Sequence, residues 1–274
     1  MWRLIEDGPG HPAWNMAVDA ALLEVGEGAV LRFYSWFPPG LSIGYFQEPP
    51  RDVPDGCVLV RRPTGGGAIL HDDELTYSMS GVAHARSGVA HARPGCGPAS
   101  LSFFARGQRE TYAAANRIVV AALAALGVNA SQRGTGNSEL GTENSKGASV
   151  PHSAFRTPHS SGALPFLCFE RRSPFDVVAS GEKIAGSAQR RGRERCLIHG
   201  SIRLAAAGRR LDPDDLTRAF QAALERETCG LVRPGALSAR ERAAAERLLP
   251  DYESFRAPLH PSREDRIIRL GLRE

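Results

Sequence analysis

The segment RRPTGGGAILHDDELTYS, residues 61–78, says most about the fold of this 274-residue chain. A β-rich run ends in two arginines, three consecutive glycines follow, and an apolar run comes next. Glycines placed in this way allow a turn whose backbone approaches a ligand closely and points its N–H groups at a carbonyl or phosphate. The Gly-Lys-Ser/Thr ending of a P-loop is missing and the GxGxxG spacing is not matched. Taken alone, a triple glycine is more often a plain tight turn, and a ligand-binding turn of another kind is the alternative.

Short strands surround this turn in the predicted fold. The runs VLRFYSW at 30–36, LSIG at 41–44 and CVLVRR at 57–62 are rich in β-formers and separated by proline and glycine clusters. Such runs are typical of strands joined by turns. They do not alternate regularly with helices, which favours α+β organisation over a doubly wound sheet.

Four helices are predicted by their patterns. Residues 12–25 begin with proline and stop at Gly26, and residues 108–126 carry apolar positions every three or four residues. Asp212 followed by Pro213 opens a third helix, and Ser238 with Glu241 forms a capping box for a fourth.

A second informative segment runs from Cys168 to Ser201. Within it, VASGEKIAGSAQ at 178–189 predicts a strand, a glycine-containing turn and a strand, with Lys183 near the turn. Arg171 and Arg172 follow Cys168 closely, and nearby cations favour a reactive thiolate. By themselves, such a cysteine is most often a small buried hydrophobe and such a lysine a solvated surface residue.

Taken together, these motifs resemble the lipoate/biotin protein ligase superfamily. The matching stretches are Arg61–His71, Lys183–Gln189 and His199–Ser201, in the order the family has them. Asn15-Met16-Ala17, the run from Leu31 to Trp36 and Gly44-Tyr45-Phe46-Gln47 also agree, so the resemblance extends over residues 12 to 225. Leu-Ile-His-Gly-Ser at 197–201 departs from the more common Leu-Gln-His-Gly-Ser.

The resemblance implies a fold like the catalytic domain of biotin ligases and class II synthetases. That fold is a largely antiparallel sheet flanked by helices, with a smaller second sheet. We expect a catalytic domain at 1–237 and a C-terminal helical extension at 238–274 that packs on it.

The implied chemistry is attachment of an eight-carbon acyl group to a lysine of a carrier protein. LipM-type octanoyltransferases carry a Cys-Phe ahead of a Ser-x-Tyr/Phe-Glu/Asp strand and then Gly-x-Lys, and this chain has Cys168-Phe169, Ser173 to Asp176 and Gly181 to Gln189. Cys168 is then expected as nucleophile and Lys183 as its catalytic partner. Substrate-binding residues implied by the resemblance are Arg61, Arg62, Thr64, Gly65, Gly66, Gly67, His71, Gly186, Ser187, Ala188, His199 and Gly200.

The implied partners are an acyl carrier protein as donor and the glycine cleavage H protein or an E2 lipoyl domain as acceptor. We expect no cofactor. An ATP-dependent lipoate-protein ligase, which would need ATP and Mg²⁺, an amidotransferase that moves the acyl group between carriers, and a silent binding module remain as alternatives.

Composition excludes several other classes. The net charge of +4 comes without a recognition motif, which argues against nucleic-acid binding and suits acidic protein partners. No apolar run reaches about 18 residues, and the N-terminus lacks a signal-peptide pattern, so we expect a cytoplasmic protein that binds no membrane. Five widely spaced cysteines indicate neither a disulfide framework nor a zinc site.

Two features lie outside the motifs. Residues 129–162 are polar and aperiodic, and we expect a long mobile loop there. VAHARSG at 82–88 is followed by VAHARPG, which suggests a duplicated surface loop. His84 and His91 could pair on a metal, but no acidic or cysteine ligand accompanies them, and no metal is expected.

Overall fold

The structure is a computed structural model that describes residues 1–83, 103–135, 173–192 and 194–255. Within these residues, no helix combines the length and apolar character needed to cross a membrane. The expected mobility of 136–162, the duplicated segment from His84 onward and Cys168 itself lie outside the described residues.

The central feature is an eight-stranded sheet. Its strands are β1 (Trp2–Gly10), β2 (Ala29–Trp36), β6 (Glu74–Val82), β7 (Ala130–Gln132), β8 (Val177–Ala179), β9 (Glu182–Arg191), β10 (Arg195–Arg203) and β13 (Val232–Pro234). They lie in the order β13-β1-β2-β6-β10-β9-β8-β7. The pairs β13–β1 and β1–β2 are parallel, and all other neighbours are antiparallel.

A smaller sheet lies beside the large one. It has the order β4-β3-β5, built from β3 (Gly40–Ile43), β4 (Val58–Arg61) and β5 (Ile69–His71). The glycine turn, residues 65–67, connects β4 to β5. A two-stranded ribbon of β11 (Ala205–Ala206) and β12 (Arg209–Arg210) completes the strands of the described part. The prediction of a largely antiparallel sheet with helices and a smaller sheet is confirmed.

Helices cover both faces of the large sheet. On one face, α2 (Gln108–Ala125) and α3 (Pro213–Thr228) pack on residues such as Leu31, Phe33 and Tyr77. On the other face, α1 (Pro12–Val25) and α4 (Ala239–Glu253) pack on Ile5, Val30 and other buried residues. Each strand alternates between these two cores because successive side chains point to opposite faces.

The middle strands are unusual on their α1 face, where most of the buried side chains are polar. Thr76 and Ser78 of β6 and His199 and Ser201 of β10 all lie there with little exposure. Buried polar groups need hydrogen-bond partners, and a dense set of them marks a place where shape or chemistry is specified. The candidate site lies at this place.

All four predicted helices are present, with small differences at their ends. Asp212 caps α3, and Ser238 and Glu241 form the predicted capping box of α4. Gly26 ends α1 as expected, but with φ at −52° and not in the left-handed region. Glycine is needed because a Cβ at this position would lie 2.4 Å from the carbonyl oxygen of Leu22.

Two local predictions are wrong. Residues 130–132 belong to the stretch expected to lack regular structure, yet they form the edge strand β7 against β8. Ser173 to Asp176 form a turn instead of a strand, because Asp176 accepts a hydrogen bond from the backbone N–H of Ser173 and closes the chain on itself. Strand β1, which had no prediction, lies inside the large sheet between β2 and β13.

Helix α4 packs against α1 through Ala244, Ala245 and Leu248. Glu241, fully buried, accepts hydrogen bonds from the backbone N–H of Glu27 and from Arg3. This part of the C-terminal segment is therefore attached to the same core as α1. The boundary between 237 and 238 remains a prediction.

Candidate active site

A cavity opens between the large and the small sheet. It has about 400 Å³ of empty space, including its mouth to solvent. Its walls come from α1, from β2, β3, β5 and β6, from the glycine turn, and from β9 and β10. Met16, Tyr34, Trp36 and Ile69 supply much of its apolar surface. Apolar walls with a few converging polar groups are typical of a small-molecule site.

The glycine turn is held from behind by Arg62. Its Nη2 donates to the carbonyl oxygens of Gly65 and Gly67, at 2.8 and 2.7 Å. Gly66 has φ at +102°, a region that favours glycine, and it lines the cavity. A Cβ on Gly44 would lie 2.2 Å from the carbonyl oxygen of Gly66, so the neighbouring loop approaches the turn backbone to backbone. Arg62 was predicted to bind substrate, which remains a prediction, and in the structure it supports the turn.

Lys183 lies beside Gly186, a residue of the cavity wall. Its Nζ is 2.8 Å from Oδ1 of Asp176, and both side chains are nearly buried. Gly186, which lines the cavity, would place a Cβ 2.9 Å from Cε and 3.2 Å from Nζ of Lys183. Any larger residue at 186 would therefore push against the ammonium group. The glycine leaves the lysine head next to the cavity wall.

His199 connects the large sheet to the glycine turn. Its Nδ1 is 3.1 Å from Oδ2 of Asp19, and its Nε2 is 2.5 Å from the hydroxyl of Thr64. Burial lowers the pKa of His199, and the neighbouring Asp19 offsets this only in part. Burial alone would raise the pKa of Asp19, but hydrogen bonds and the charge of Arg32 bring it below its usual value. The imidazole is therefore neutral beside a carboxylate.

His71 lies in a second chain of hydrogen bonds. Its Nδ1 contacts Oε1 of Glu74, and its Nε2 is 2.7 Å from the hydroxyl of Ser42. The ring stacks on Trp36 with centroids 3.7 Å apart, and Trp36 Nε1 donates to Thr76. Both ring nitrogens of His71 therefore have hydrogen-bond partners, and Trp36 covers one face of the ring. These contacts hold the ring in a fixed position in the cavity wall.

The neutral state of His199 predicts how stability changes with pH. An unfolded histidine takes up a proton near pH 6.5, whereas folded His199 does so only at lower pH. The contribution of neutral His199 to the free energy of unfolding is therefore complete above about pH 6.5. This contribution is lost as the pH falls below that value, by at most about 1.4 kcal/mol per pH unit. Urea unfolding of the wild type and of His199→Gln between pH 7.5 and 5 measures this. The wild type should lose stability faster on acidification, and parallel curves would contradict the prediction.

The cavity brings together most of the predicted binding residues. Arg62, Gly66 and His71 line it from the first motif, residues 186–188 from the second, and His199 and Gly200 from the third. The first motif is more than 100 residues away in sequence from the other two. Their common location supports the prediction that they form one site.

The other predicted residues in the described part of the chain do not line the cavity and instead contact the segments around it. Arg61 Nη1 donates to the carbonyl oxygens of Gly44, Tyr45 and Gln47 and holds that loop beside the turn. Thr64 contacts His199, and the carbonyls of Gly65 and Gly67 face Arg62. Cys168 lies outside the described residues, so its distance from Lys183 remains a prediction.

Sequence reasoning missed Asp19 and gave no role to Asp176. Asp19 looks like an ordinary polar position of an amphipathic helix, and only its burial reveals it. A signal for Lys183 was present in the composition: Lys146 and Lys183 are the only lysines among 34 basic residues. In a chain that otherwise uses arginine, a lysine points to a position where a compact ammonium is required.

No group of three or more His, Cys, Asp or Glu side chains in the described part of the chain is arranged to hold a metal ion. His84 and His91 lie outside that part, so the expectation of no metal stays a prediction. Cys57, Cys196 and Cys229 are unpaired thiols, and Cys196 is buried with its pKa raised by that burial. It lies on the α2 face of β10, away from the cavity.

Comparison with known proteins gives the class. The profile of the lipoyl protein ligase A/B catalytic domain matches residues 11–93 and 95–234. This chain belongs to that family.

Individual relatives point to one branch of the family. The chain is 35% identical over 236 residues to octanoyltransferase LipM of Anoxybacillus flavithermus, a match that covers 82% of this chain and 72% of the relative. It is 33% identical over 300 residues to octanoyltransferase LipM of Kyrpidia tusciae, covering 92% and 96%.

Solved structures agree on the fold. A lipoate-protein ligase A bound with ATP superposes with a TM-score of 0.63 at 19% identity, covering 93% of this chain and 98% of the other. A bipartite lipoate protein ligase from Thermoplasma acidophilum gives 0.61 at 20% identity, covering 99% and 97%. At this identity the likeness concerns the fold alone.

Proposed function

We propose that this chain is an octanoyltransferase of protein lipoylation that carries the acyl group as a thioester on Cys168. The observation that carries the proposal is that one largely apolar cavity is lined both by the glycine turn, at Gly66, and by Gly186, beside which Asp176 holds Lys183. The similarity to LipM octanoyltransferases supports the same reading. We place this activity in the cytoplasm.

The reaction consists of two acyl transfers. The thiolate of Cys168 attacks the thioester carbonyl of an octanoyl-acyl carrier protein, a C–S bond forms, and the carrier leaves as its thiolate. The amine of a lipoyl-domain lysine then attacks the enzyme thioester, an amide forms, and Cys168 leaves as thiolate while the amine loses its proton. The acceptor is the glycine cleavage H protein or an E2 lipoyl domain. A thioester is already activated, so the route needs no ATP.

Lys183 and the glycine turn have complementary roles in these steps. Each transfer passes through a tetrahedral centre that carries negative charge on oxygen. Donors aimed at that oxygen typically contribute about 3–4 kcal/mol each in acyl-transfer enzymes. We expect the ammonium beside Gly186 and the backbone N–H groups of the turn at Gly66, which lines the cavity, to act as such donors.

The apolar walls suit the alkyl chain. Burial of the seven carbons beyond the carbonyl at about 0.8 kcal/mol each contributes roughly 5–6 kcal/mol. Trp36, stacked on His71 and hydrogen-bonded to Thr76, provides a rigid surface for such a chain. Rigid walls can discriminate by length because a core-like site resists repacking.

Intact-mass measurement tests the proposal. Mixing the protein with octanoyl-acyl carrier protein in the absence of ATP should add about 126 Da, the increment of one octanoyl group on a nucleophile. Neutral hydroxylamine should remove the adduct, since it cleaves thioesters and spares amides. Cys168→Ser should show no hydroxylamine-sensitive adduct.

Two results would overturn the proposal. One is equal carrier acylation by Cys168→Ser and the wild type. The other is product formation only with ATP and free octanoate or lipoate, accompanied by pyrophosphate release, which would assign the chain to the ligases. An octanoyl-lipoyl domain accepted as donor in place of the acyl carrier protein would instead indicate an amidotransferase.

A further inference from the structure

Asp19 of α1 is fully buried and meets four hydrogen-bond donors. Oδ1 accepts from Arg32 Nη1 at 3.0 Å and from Ser78 Oγ at 2.8 Å. Oδ2 accepts from the hydroxyl of Tyr34 at 2.9 Å and from Nδ1 of His199 at 3.1 Å. A carboxylate offers about four lone-pair sites, so these contacts use its full capacity.

This arrangement determines which nitrogen of His199 bears the proton. An ionised carboxylate can only accept, so Nδ1 carries hydrogen, and the Nε2 of the neutral ring must accept. The hydroxyl of Thr64 is the donor it meets, at 2.5 Å. Thr64 directly precedes the glycine turn, and its carbonyl oxygen accepts from the N–H of Tyr45 at 2.8 Å. One chain of contacts therefore runs from α1 through β10 to the turn.

We propose that Asp19 is a positioning residue of acyl transfer: it fixes His199 as the Nδ1–H tautomer and, through His199 and Thr64, sets the position of the glycine turn. The effect of Asp19 on catalysis rests on the proposed function. Its effect on the tautomer of His199 is independent of that function.

Asp19→Asn offers a sharp test because the site dictates how the amide must lie. Arg32 can only donate, so the amide oxygen stays on the side of Arg32 and Ser78. The amide NH₂ then faces Tyr34 and His199. It donates to Nδ1, which moves the histidine proton to Nε2 and turns that nitrogen from acceptor into donor toward Thr64. The same exchange in serine proteases leaves the geometry intact and produces the wrong tautomer.

Nitrogen-15 NMR of histidine-labelled protein reads the tautomer directly, and His199→Gln assigns the signal among eight histidines. The wild type and Ser78→Ala should show protonated Nδ1 and unprotonated Nε2. Ser78→Ala is the matched control because Ser78 contacts the other oxygen of Asp19. Asp19→Asn should show the reverse pattern. Its kcat should fall at least about tenfold, the lower end of the loss seen when hydrogen-bond partners that orient metal-binding histidines are removed.

Thr64 provides a second test that does not depend on folding of Asp19→Asn. Thr64→Val removes the hydroxyl at nearly constant shape, and Thr64→Ser retains it. We expect kcat to fall in the first and to be largely restored in the second.

The proposal is overturned by a wild-type His199 that is protonated on Nε2 or on both nitrogens. It is also overturned if folded Asp19→Asn keeps the wild-type tautomer or the wild-type kcat, or if the two Thr64 variants are equally active. If no Cys168 adduct forms but Asp19→Asn shows the expected tautomer exchange, the thioester route is rejected. The conclusion that Asp19 fixes the tautomer of His199 then still stands.

Discussion

Lys183→Met should lower kcat for carrier acylation by about 10²–10³-fold, the range seen when one oxyanion-stabilising donor is removed. Methionine keeps the length and apolar stem of lysine and loses the ammonium that lies beside Gly186. The binding of the alkyl chain by the apolar walls is unchanged, so KM should change little. Single-turnover kinetics with octanoyl-acyl carrier protein would show slow formation of the Cys168 adduct.

The composition of the chain provides the control for this experiment. Lys146 is the only other lysine, so Lys146→Met makes the same chemical change elsewhere. We expect it to retain wild-type kinetics. If a folded Lys183→Met protein keeps the wild-type kcat, Lys183 takes no part in catalysis and the prediction is wrong. The same variant leaves the nearly buried carboxylate of Asp176 without its ammonium partner, and the thermal stability of Lys183→Met measures that effect.

Arg32→Leu should destabilise the protein by about 3–5 kcal/mol, the typical result of breaking a buried ion pair. Arg32 is fully buried and donates to Asp7, to Asn15 and to Asp19. Burial alone would lower the pKa of Arg32, but Asp19, Tyr34 and Asp7 together outweigh it and the guanidinium stays charged. Leucine in its place leaves the carboxylate of Asp19 inside the protein without its cation.

Urea unfolding at pH 7.5 measures this difference. Arg247→Ala is the matched control, because Arg247 pairs with Glu24 where both side chains are more than half exposed. Surface pairs of this kind contribute about 0–1 kcal/mol. An equally small effect of Arg32→Leu would contradict the prediction and would mean that Asp19 becomes neutral without its partner.

Local rules predicted much of the fold. The beginnings of α1, α3 and α4 follow from a first-turn proline, an Asp cap and a capping box, all set by residues within one helical turn. Strand β7 was not predicted because its three residues are too few to show an alternating pattern. Strand β1 lies in the interior of the sheet, and its bulge between Glu6 and Pro9 interrupts its alternation.

The candidate site likewise has parts that the sequence predicts and parts that it does not. The motifs at 61–71, 183–189 and 199–201 were recognisable because each is a contiguous run with special residues. By contrast, Asp19 and His199 lie 180 positions apart, and neither residue alone indicates the other. Burial on the α1 face of β6 and β10 is what brings them together and requires that each polar atom find a partner.

The sequence by itself determined the family, the helix ends and the glycine turn, because these depend on residues close together in the chain. Only the tertiary structure decided that Arg62 supports the turn, that Asp176 holds Lys183, and that Asp19 sets the protonation of His199. Those contacts join distant segments among buried side chains. There, the hydrogen-bond partner and the local charges determine which atom carries a proton.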